Sequence, residues 1–314
     1  MAQHTLLGID IGGTKIAGGI VAAETGAASL VRRISTEAQQ GGAVVRDRAL
    51  ALAQELLAEA AVQGISPTAI GVGAGGQIDP VSGVVLSATD VLPGWTGIRI
   101  KEAFETAFSL PTSVDNDVNA LAAGESRFGA GRGFPNLVYL ALGTGVGGAV
   151  LVHGSLYHSR TGVSAELGHL LLYPDGLPCT CGGRGCLEQY VCGPTLWRRY
   201  RANGGTAETP EALHHAAQTD PQSPAAQTLR EVGTDLGLGL ASLANIFGPD
   251  RFVIGGGLAD LGDLLLDPAR AVLRERALPA VRETPVIPAG LGRDAAVIGA
   301  ASLALHTIPT ENQE

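Results

Sequence analysis

The chain has 314 residues, 45% of them hydrophobic and only 16% charged, which excludes a disordered tail or a coiled coil. At roughly 100 to 200 residues per domain it holds about two globular domains. A net charge of −9 argues against a surface that binds nucleic acid or an anionic membrane, so an anionic substrate needs a local cation.

The first ten residues lack the charged start and long apolar run of a signal peptide. The uncharged stretch 133–159 is broken by Pro135, Asn136, His153 and six glycines, a poor bilayer span. A cytoplasmic protein without membrane partners is expected. Strand-like runs open the chain at 5–11, 16–22 and 30–35, the first two joined by a glycine turn. Residues 44–62 carry Leu and Ala at helical spacing and stop at Gly64. Short buried strands are predicted at 70–74 and 112–116, the second leading into a helix over 118–128. After the breakers of 129–135 the pattern restarts, with strands at 137–142 and 149–153 around another glycine turn. A helix over 229–247, a strand over 252–257 ending in three glycines, and a helix over 295–306 complete the chain; 220–224 reads as a surface loop. Two α/β lobes, each opened by a hairpin, follow from this order.

Two glycine runs, Gly71/Gly73/Gly76 and Gly143/Gly145/Gly148, match the spacing of a dinucleotide fingerprint, but neither leads into the helix that would receive a pyrophosphate. A Walker A loop is absent too: Lys15 follows Thr14 and precedes Ile16. What remains is Asp10-Ile11-Gly12-Gly13-Thr14-Lys15 at a hairpin tip, where backbone N–H groups and a hydroxyl can cradle phosphate and Asp10 can hold Mg²⁺. The plain alternative is a hairpin turn whose glycines serve positive φ. Gly143-Thr144-Gly145 repeats the chemistry, so two turns could clamp one nucleotide, with Gly255-Gly256-Gly257 as bare backbone for an adenine. Lys15 either contacts phosphate or covers the turn.

At the end of the 112–116 strand stands Asp115-Asn116-Asp117-Val118-Asn119. Asp117 alone would pass for a helix N-cap, but the polar side chains beside it exceed what a cap needs. A carboxylate there can take a proton from a substrate hydroxyl while the amide orients it. Further on, Glu166-Leu167-Gly168-His169 precedes Cys179, Cys181, Cys186 and Glu188. Three thiols and an imidazole suit a closed tetrahedral zinc site; the alternatives are inert buried thiols, or an all-cysteine site with Cys192 replacing His169.

DxGGTK, LGTGxGG, acid-Asn-Asp-x-Asn-Ala, ExGH and CxCGxxGCLE stand in this order over nearly the whole chain, and in this the sequence resembles the ROK family of sugar kinases and sugar-responsive repressors. The resemblance implies an α/β fold of two RNase H-like lobes of the actin-like ATPase and sugar kinase type, with ATP and sugar in a cleft between them. The lobes are expected at 1–118 plus 297–314, and at 119–296 with the zinc-binding loop. By the likeness Asp117 is the catalytic base. Asn116, Glu166, His169 and Glu188 hold sugar hydroxyls, with Gly76 and Thr89 also carried over. ATP and Mg²⁺ fall to Asp10, Gly12, Gly13, Thr14, Lys15, Thr144, Gly145, Gly255, Gly256 and Gly257, and structural zinc to His169, Cys179, Cys181 and Cys186. Many members have Glu where Asp115 stands. Leu92-Pro93-Gly94-Trp95 looks like the family's glucokinases.

The expectation is an ATP- and Mg²⁺-dependent glucokinase of carbohydrate metabolism, a homo-oligomer (dimer or tetramer), making glucose 6-phosphate. Rivals are the same chemistry on N-acetylmannosamine, N-acetylglucosamine or fructose, a sugar-sensing regulator, or a zinc-dependent binding module. The regulator is disfavoured because nine residues before Asp10 leave no room for a helix-turn-helix and the charge is wrong for DNA. The module would not need both phosphate turns.

Overall fold

Alternation along the first strand sets the architecture of the first unit. In β1 (Thr5–Ile11) the side chains of Leu7, Ile9 and Ile11 enter one apolar cluster and Leu6 another, so Gly8 and Asp10 share the face of Leu6. The structure, a computed structural model, describes residues 4–89 and 91–307. β1 pairs antiparallel with β2 (Lys15–Ala22), and β2 with β3 (Ala28–Ser35). Helix α1 (Gly42–Val62) covers the odd-numbered face of β1 with Val45, Leu52 and Leu56. β4 (Ala69–Ala74) runs parallel to β1, and after the hairpin β5 (Gln77–Ile78) and β6 (Val85–Ser87) and helix α2 (Ile100–Phe108), β7 (Thr112–Asn116) runs parallel to β4. The sheet order is β3-β2-β1-β4-β7, and α3 (Asp117–Phe128) leaves directly from β7.

The second unit repeats the pattern. β8 (Leu137–Leu142), β9 (Val146–Val152) and the two-residue β10 (Ser155–Leu156) lead to α4 (Glu188–Val191), α5 (Gly193–Ala202), α6 (Pro210–Thr219) and α7 (Pro224–Phe247). β11 (Arg251–Gly255), α8 (Asp263–Arg276) and β12 (Val286–Pro288) follow, and the order β10-β9-β8-β11-β12 matches the first sheet strand for strand. Each unit thus has the RNase H-like arrangement expected of it.

Helix α9 (Ala295–Ser302) returns the chain to the first unit and lies on the face of β1 and β4 that carries Gly8 and Gly71. A Cβ at either glycine would collide with a backbone carbonyl of α9, of Val297 or of Ala300, so the helix seats only on bare backbone.

By their contacts, one unit comprises the described residues up to Gly133, Leu156–Ser164 and those from Gly290 onward; the other comprises Phe134–Ser155 and Ala165–Ala289. The sequence reading divides instead at 118/119 and 296/297. The difference arises because α3 packs along α9 and carries Glu125, whose buried carboxylate accepts backbone N–H bonds from Ala130, Gly290 and Leu291. Residues 1–3 and 308–314 of the expected first lobe lie outside the described residues.

Several elements differ from expectation. β9 starts at Val146 rather than 149 because Leu167 packs on Gly148 and the pairing with β8 runs through the glycines. α7 starts at Pro224, inside the predicted loop, since Ser223 caps it by accepting from the Ala226 amide and proline suits the first turn. β11, expected over 252–257, stops at Gly255, where Gly256 takes a φ of +82°. α2, α4, α5, α6 and α8 have no counterpart in the sequence reading. Among the described residues no helix is long and apolar enough to cross a membrane.

Candidate active site

In the first unit β1, β4 and β7 are parallel and end together, placing Asp10, Gly73 and Asp115 in one row and Ile11, Ala74 and Asn116 in the next. Carboxyl ends of parallel strands are where α/β sheets bind ligands. A Cβ at Gly73 would lie 3.5 Å from Asp10 Oδ1 and 3.7 Å from Asp117 Cα, so both acids border this strand end. Burial pushes the Asp10 carboxyl up to about 7, the negative Asp117 adds to this, and Lys15 opposes it. A carboxylate held so reluctantly ionised gains from a cation and fits a metal-holding role.

The turn after β1 is not a positive-φ turn: neither Gly12 nor Gly13 is among the residues with φ above zero. The plain hairpin reading therefore does not account for them. Gly13 instead lies against the exposed Val91, whose Cγ1 would stand 2.5 Å from a Cβ there. The buried Thr36 fastens the turn, its hydroxyl donating to the Gly12 carbonyl (2.7 Å) and its amide to the Thr14 carbonyl (3.0 Å). The Thr14 and Lys15 side chains stay exposed.

At the β7–α3 junction the cap is Asn116 and not Asp117. The Asn116 side chain accepts from the Val118 and Asn119 amides and donates to the Gly76 carbonyl at 2.9 Å. Asp115 is committed on both oxygens: Oδ1 accepts from the Asn116 amide (2.7 Å) and Asn119 Nδ2 (2.8 Å), and Oδ2 meets His158 Nε2 at 2.7 Å. Asp117 uses Oδ1 to accept from its neighbour's amide, and its Oδ2 faces Gly75, 3.9 Å from where a Cβ would stand. Burial raises the Asp117 pKa, hydrogen bonds from Val118 and Asn116 opposing it. Gly76 has a φ of +100°, and the adjacent Gly75 carbonyl accepts from the buried Trp95 indole (3.1 Å), tying the 92–95 segment to this end. Thr89 is exposed and its carbonyl accepts from the Leu92 amide.

In the second unit the turn between β8 and β9 holds Gly143, the exposed Thr144 and Gly145. Glu188, at the start of α4, accepts from the Val146 amide (3.0 Å), and a Cβ at Gly145 would come within 2.5 Å of its carboxylate. Glu188 is thereby joined to the second turn, which spacing alone does not suggest. Of the three glycines that close β11, Gly255, its last residue, is buried under the Tyr139 hydroxyl, leaving Gly256 and Gly257 as exposed backbone. Glu166 is exposed, one residue before the short 3₁₀ turn that ends at His169.

His169, Cys179, Cys181 and Cys186 converge: one ligand atom from each lies within 4.8 Å of all the others. Cys179 Sγ is 3.7 Å from His169 Nδ1, and the Cys181 and Cys186 sulfurs are 3.7 Å apart. Thiolates at about 2.3 Å from a tetrahedral zinc ion stand about 3.8 Å apart, so the donor set fits. Burial and the two neighbouring thiols push Cys186 up to about 12, so a cation is needed for the cluster to ionise fully. Cys192 is apart, buried against the Thr195 hydroxyl at 3.5 Å. The geometry thus favours the histidine-containing set over the all-cysteine one. With Nδ1 facing the cysteines, His169 keeps Nε2 for another partner.

Sequence reasoning passed over His158 and Thr36, and read Trp95 only as part of a glucokinase-like segment. The separation of 43 positions between Asp115 and His158 carries no spacing signal, and Thr36 and Trp95 act through backbone carbonyls whose partners no motif records.

A family model described as ROK family matches residues 6–307. The glucokinase of Streptomyces coelicolor is 38% identical over 322 aligned residues, covering 96% of this chain and 98% of that one. Among solved structures, a ROK family glucokinase from Streptomyces griseus, described in complex with glucose and AMPPNP, is 34% identical with a TM-score of 0.79, over 95% of this chain and 98% of that chain. The ROK hexokinase from Thermus thermophilus is 32% identical with a TM-score of 0.80, over 96% and 98%. With the match running almost from end to end in both sequence and fold, this chain belongs to the ROK family.

Proposed function

We propose that the chain is an ATP-dependent hexokinase that phosphorylates glucose at its 6-hydroxyl. The observation that carries the reading is the division of labour between two adjacent acids. Asp115 is spent on three partners, while the half-buried Asp117, near Asp10 at the same strand end, keeps an oxygen that no cap needs. The nearly full-length likeness to glucokinases supports the substrate and the donor.

Asp117 accepts the proton of the sugar 6-hydroxyl as its oxygen bonds to the γ-phosphorus. The bond from that phosphorus to the β–γ bridging oxygen breaks, and ADP leaves with the electron pair. Burial brings the base toward neutral pH, where proton transfer is most effective. Asn116, held by the Gly76 carbonyl, orients the hydroxyl, and Glu166, His169 and Glu188 bind the remaining sugar hydroxyls, with Gly76 and Thr89 in lesser parts. The turns Gly12–Lys15 and Thr144–Gly145 bind phosphate through backbone N–H groups and hydroxyls, and Gly255–Gly257 faces the base. Since phosphoryl transfer depends mainly on positioning and charge neutralisation, these contacts contribute more than the base does. Asp10 is the residue that would hold magnesium, which when bound neutralises charge on the phosphates. Zinc would be held by His169, Cys179, Cys181 and Cys186, and would fix the loop between Glu166 and Glu188. The reading places a homo-oligomer, dimer or tetramer, in the cytoplasm at the entry of glucose into glycolysis.

The test is ATP-dependent ADP release over a panel of glucose, fructose, N-acetylglucosamine and N-acetylmannosamine. Highest kcat/KM on glucose is expected. Preference for another sugar moves the branch and keeps the chemistry, and release with no sugar on the panel defeats the kinase reading.

A further inference from the structure

The chain does something in the second unit that the first does not repeat. After Ser155 it leaves the second unit, contributes Leu156–Ser164 to the first, and returns at Ala165, a non-glycine residue with φ of +55°, just before Glu166. The excursion is internally braced, Ser159 donating to the Val163 carbonyl and Ser164 to the Tyr157 carbonyl. It is also packed on the β5–β6 hairpin, where Gly162 faces the Ile78 carbonyl and Leu86. From it His158 reaches Asp115, whose side chain is 6% exposed against 28% for the imidazole. Resting on the sugar-kinase reading above, we infer that His158 is a positioning residue for phosphoryl transfer, which through Asp115 fixes the side chains of Asn116 and Asp117.

The route is short and consists of hydrogen bonds. His158 Nε2–H donates to Asp115 Oδ2, which stops the carboxylate rotating about its terminal torsion. Oδ1 of the same group receives the Asn116 amide and the Asn119 side chain, so its orientation sets the backbone at Asn116 and the first turn of α3. Asn116 then has one rotamer that serves the Val118 and Asn119 amides and the Gly76 carbonyl together. Asp117 is the next residue. The hydrogen bond to Asp115 holds the His158 imidazole above its ordinary pKa against the pull of burial, and the charge of Asp115 adds to it. Polar networks of this kind act as units, and a partner lost at one end loosens the other. A misplacement of about 1 Å at a reacting group can cost on the order of 10²-fold in rate.

The experiment compares wild type with His158→Ala, His158→Gln, Asp115→Asn and the Asp115→Asn/His158→Ala double variant, with kcat normalised to folded protein. His158→Ala is expected to lower kcat about tenfold or more, with KM for ATP within about twofold, because the loss lies in placing the acceptor end. His158→Gln keeps an N–H donor and is expected to recover most of kcat. The double variant is expected to be little worse than the poorer single one, because both changes cut the same chain of contacts. Unchanged kcat in His158→Ala overturns the inference. So does a fall that tracks lost folded protein and is not rescued by Gln, which is what a loop fastener alone would show. An inactive wild type overturns the kinase reading together with this one, whereas an active wild type with an indifferent His158 overturns this one alone.

Discussion

Replacing Asp117 by Asn separates catalysis from folding. Asp117 Oδ1 accepts the Val118 amide, which Asn116 Oδ1 also accepts, so the helix keeps its cap when the charge is removed. Loss of a positioned general base lowers kcat by ~10² to 10⁴, or about 3 to 5 kcal/mol of transition-state stabilisation. Stability should move the other way. Burial raises the folded pKa of Asp117 above its unfolded value, so the folded state binds this proton more tightly. The ionised group therefore weakens the fold, increasingly as pH rises from the unfolded pKa of 3.8 through the raised folded one. Asp117→Asn should accordingly be at least as stable as wild type at pH 8, and its advantage should vanish near pH 3.8 and below. It also relieves Asp10, which the Asp117 charge pushes up. The wild-type kcat profile should show an acidic limb above the ordinary carboxylate range, and the variant should lack it. Coupled ADP-release kinetics with glucose and urea unfolding at two pH values, both without added metal for the unfolding, test this. Near-normal kcat in Asp117→Asn would refute the assignment of the base, and lower stability at pH 8 would refute the electrostatic reasoning.

Glucose should exceed N-acetylmannosamine in kcat/KM by roughly tenfold or more, and Glu188→Gln should shrink the penalty wild type imposes on 1-deoxyglucose, because hydroxyl-reading pockets reject analogues that leave them unpaired. Cys181→Ser should lose zinc and raise KM for glucose before it affects ATP, while Cys192→Ser, whose thiol is buried against Thr195, should keep both. Metal analysis of these beside His169→Ala decides the ligand set, and zinc kept in the histidine variant but lost with Cys192→Ser would mean an all-cysteine site. Glu125→Ala should destabilise the protein by about 3 kcal/mol in urea unfolding, since it orphans the Gly290 and Leu291 amides that a buried carboxylate satisfies.

What the amino-acid sequence determined by itself is local in character. The hairpin at 5–22, the strands at 112–116 and 137–142, and the long helices are written in alternation, in 3.6-residue spacing and in glycine punctuation, and these act over a few residues. The candidate metal-binding cluster was legible too, because three of its four side chains fall within eight residues and the chemistry of thiols restricts what such spacing can hold. Tertiary structure decided what depends on distant partners. That Asp115 is spent and Asp117 available follows from His158, 43 residues away, and that Asn116 rather than Asp117 caps α3 follows from backbone geometry at the strand end. The boundary between the units moved because Glu125 gathers backbone amides from Ala130, Gly290 and Leu291, an arrangement that leaves no pattern in sequence. Hydrogen bonds to backbone groups and close approach onto glycines depend on where the chain comes back, and only the folded structure brings those segments together.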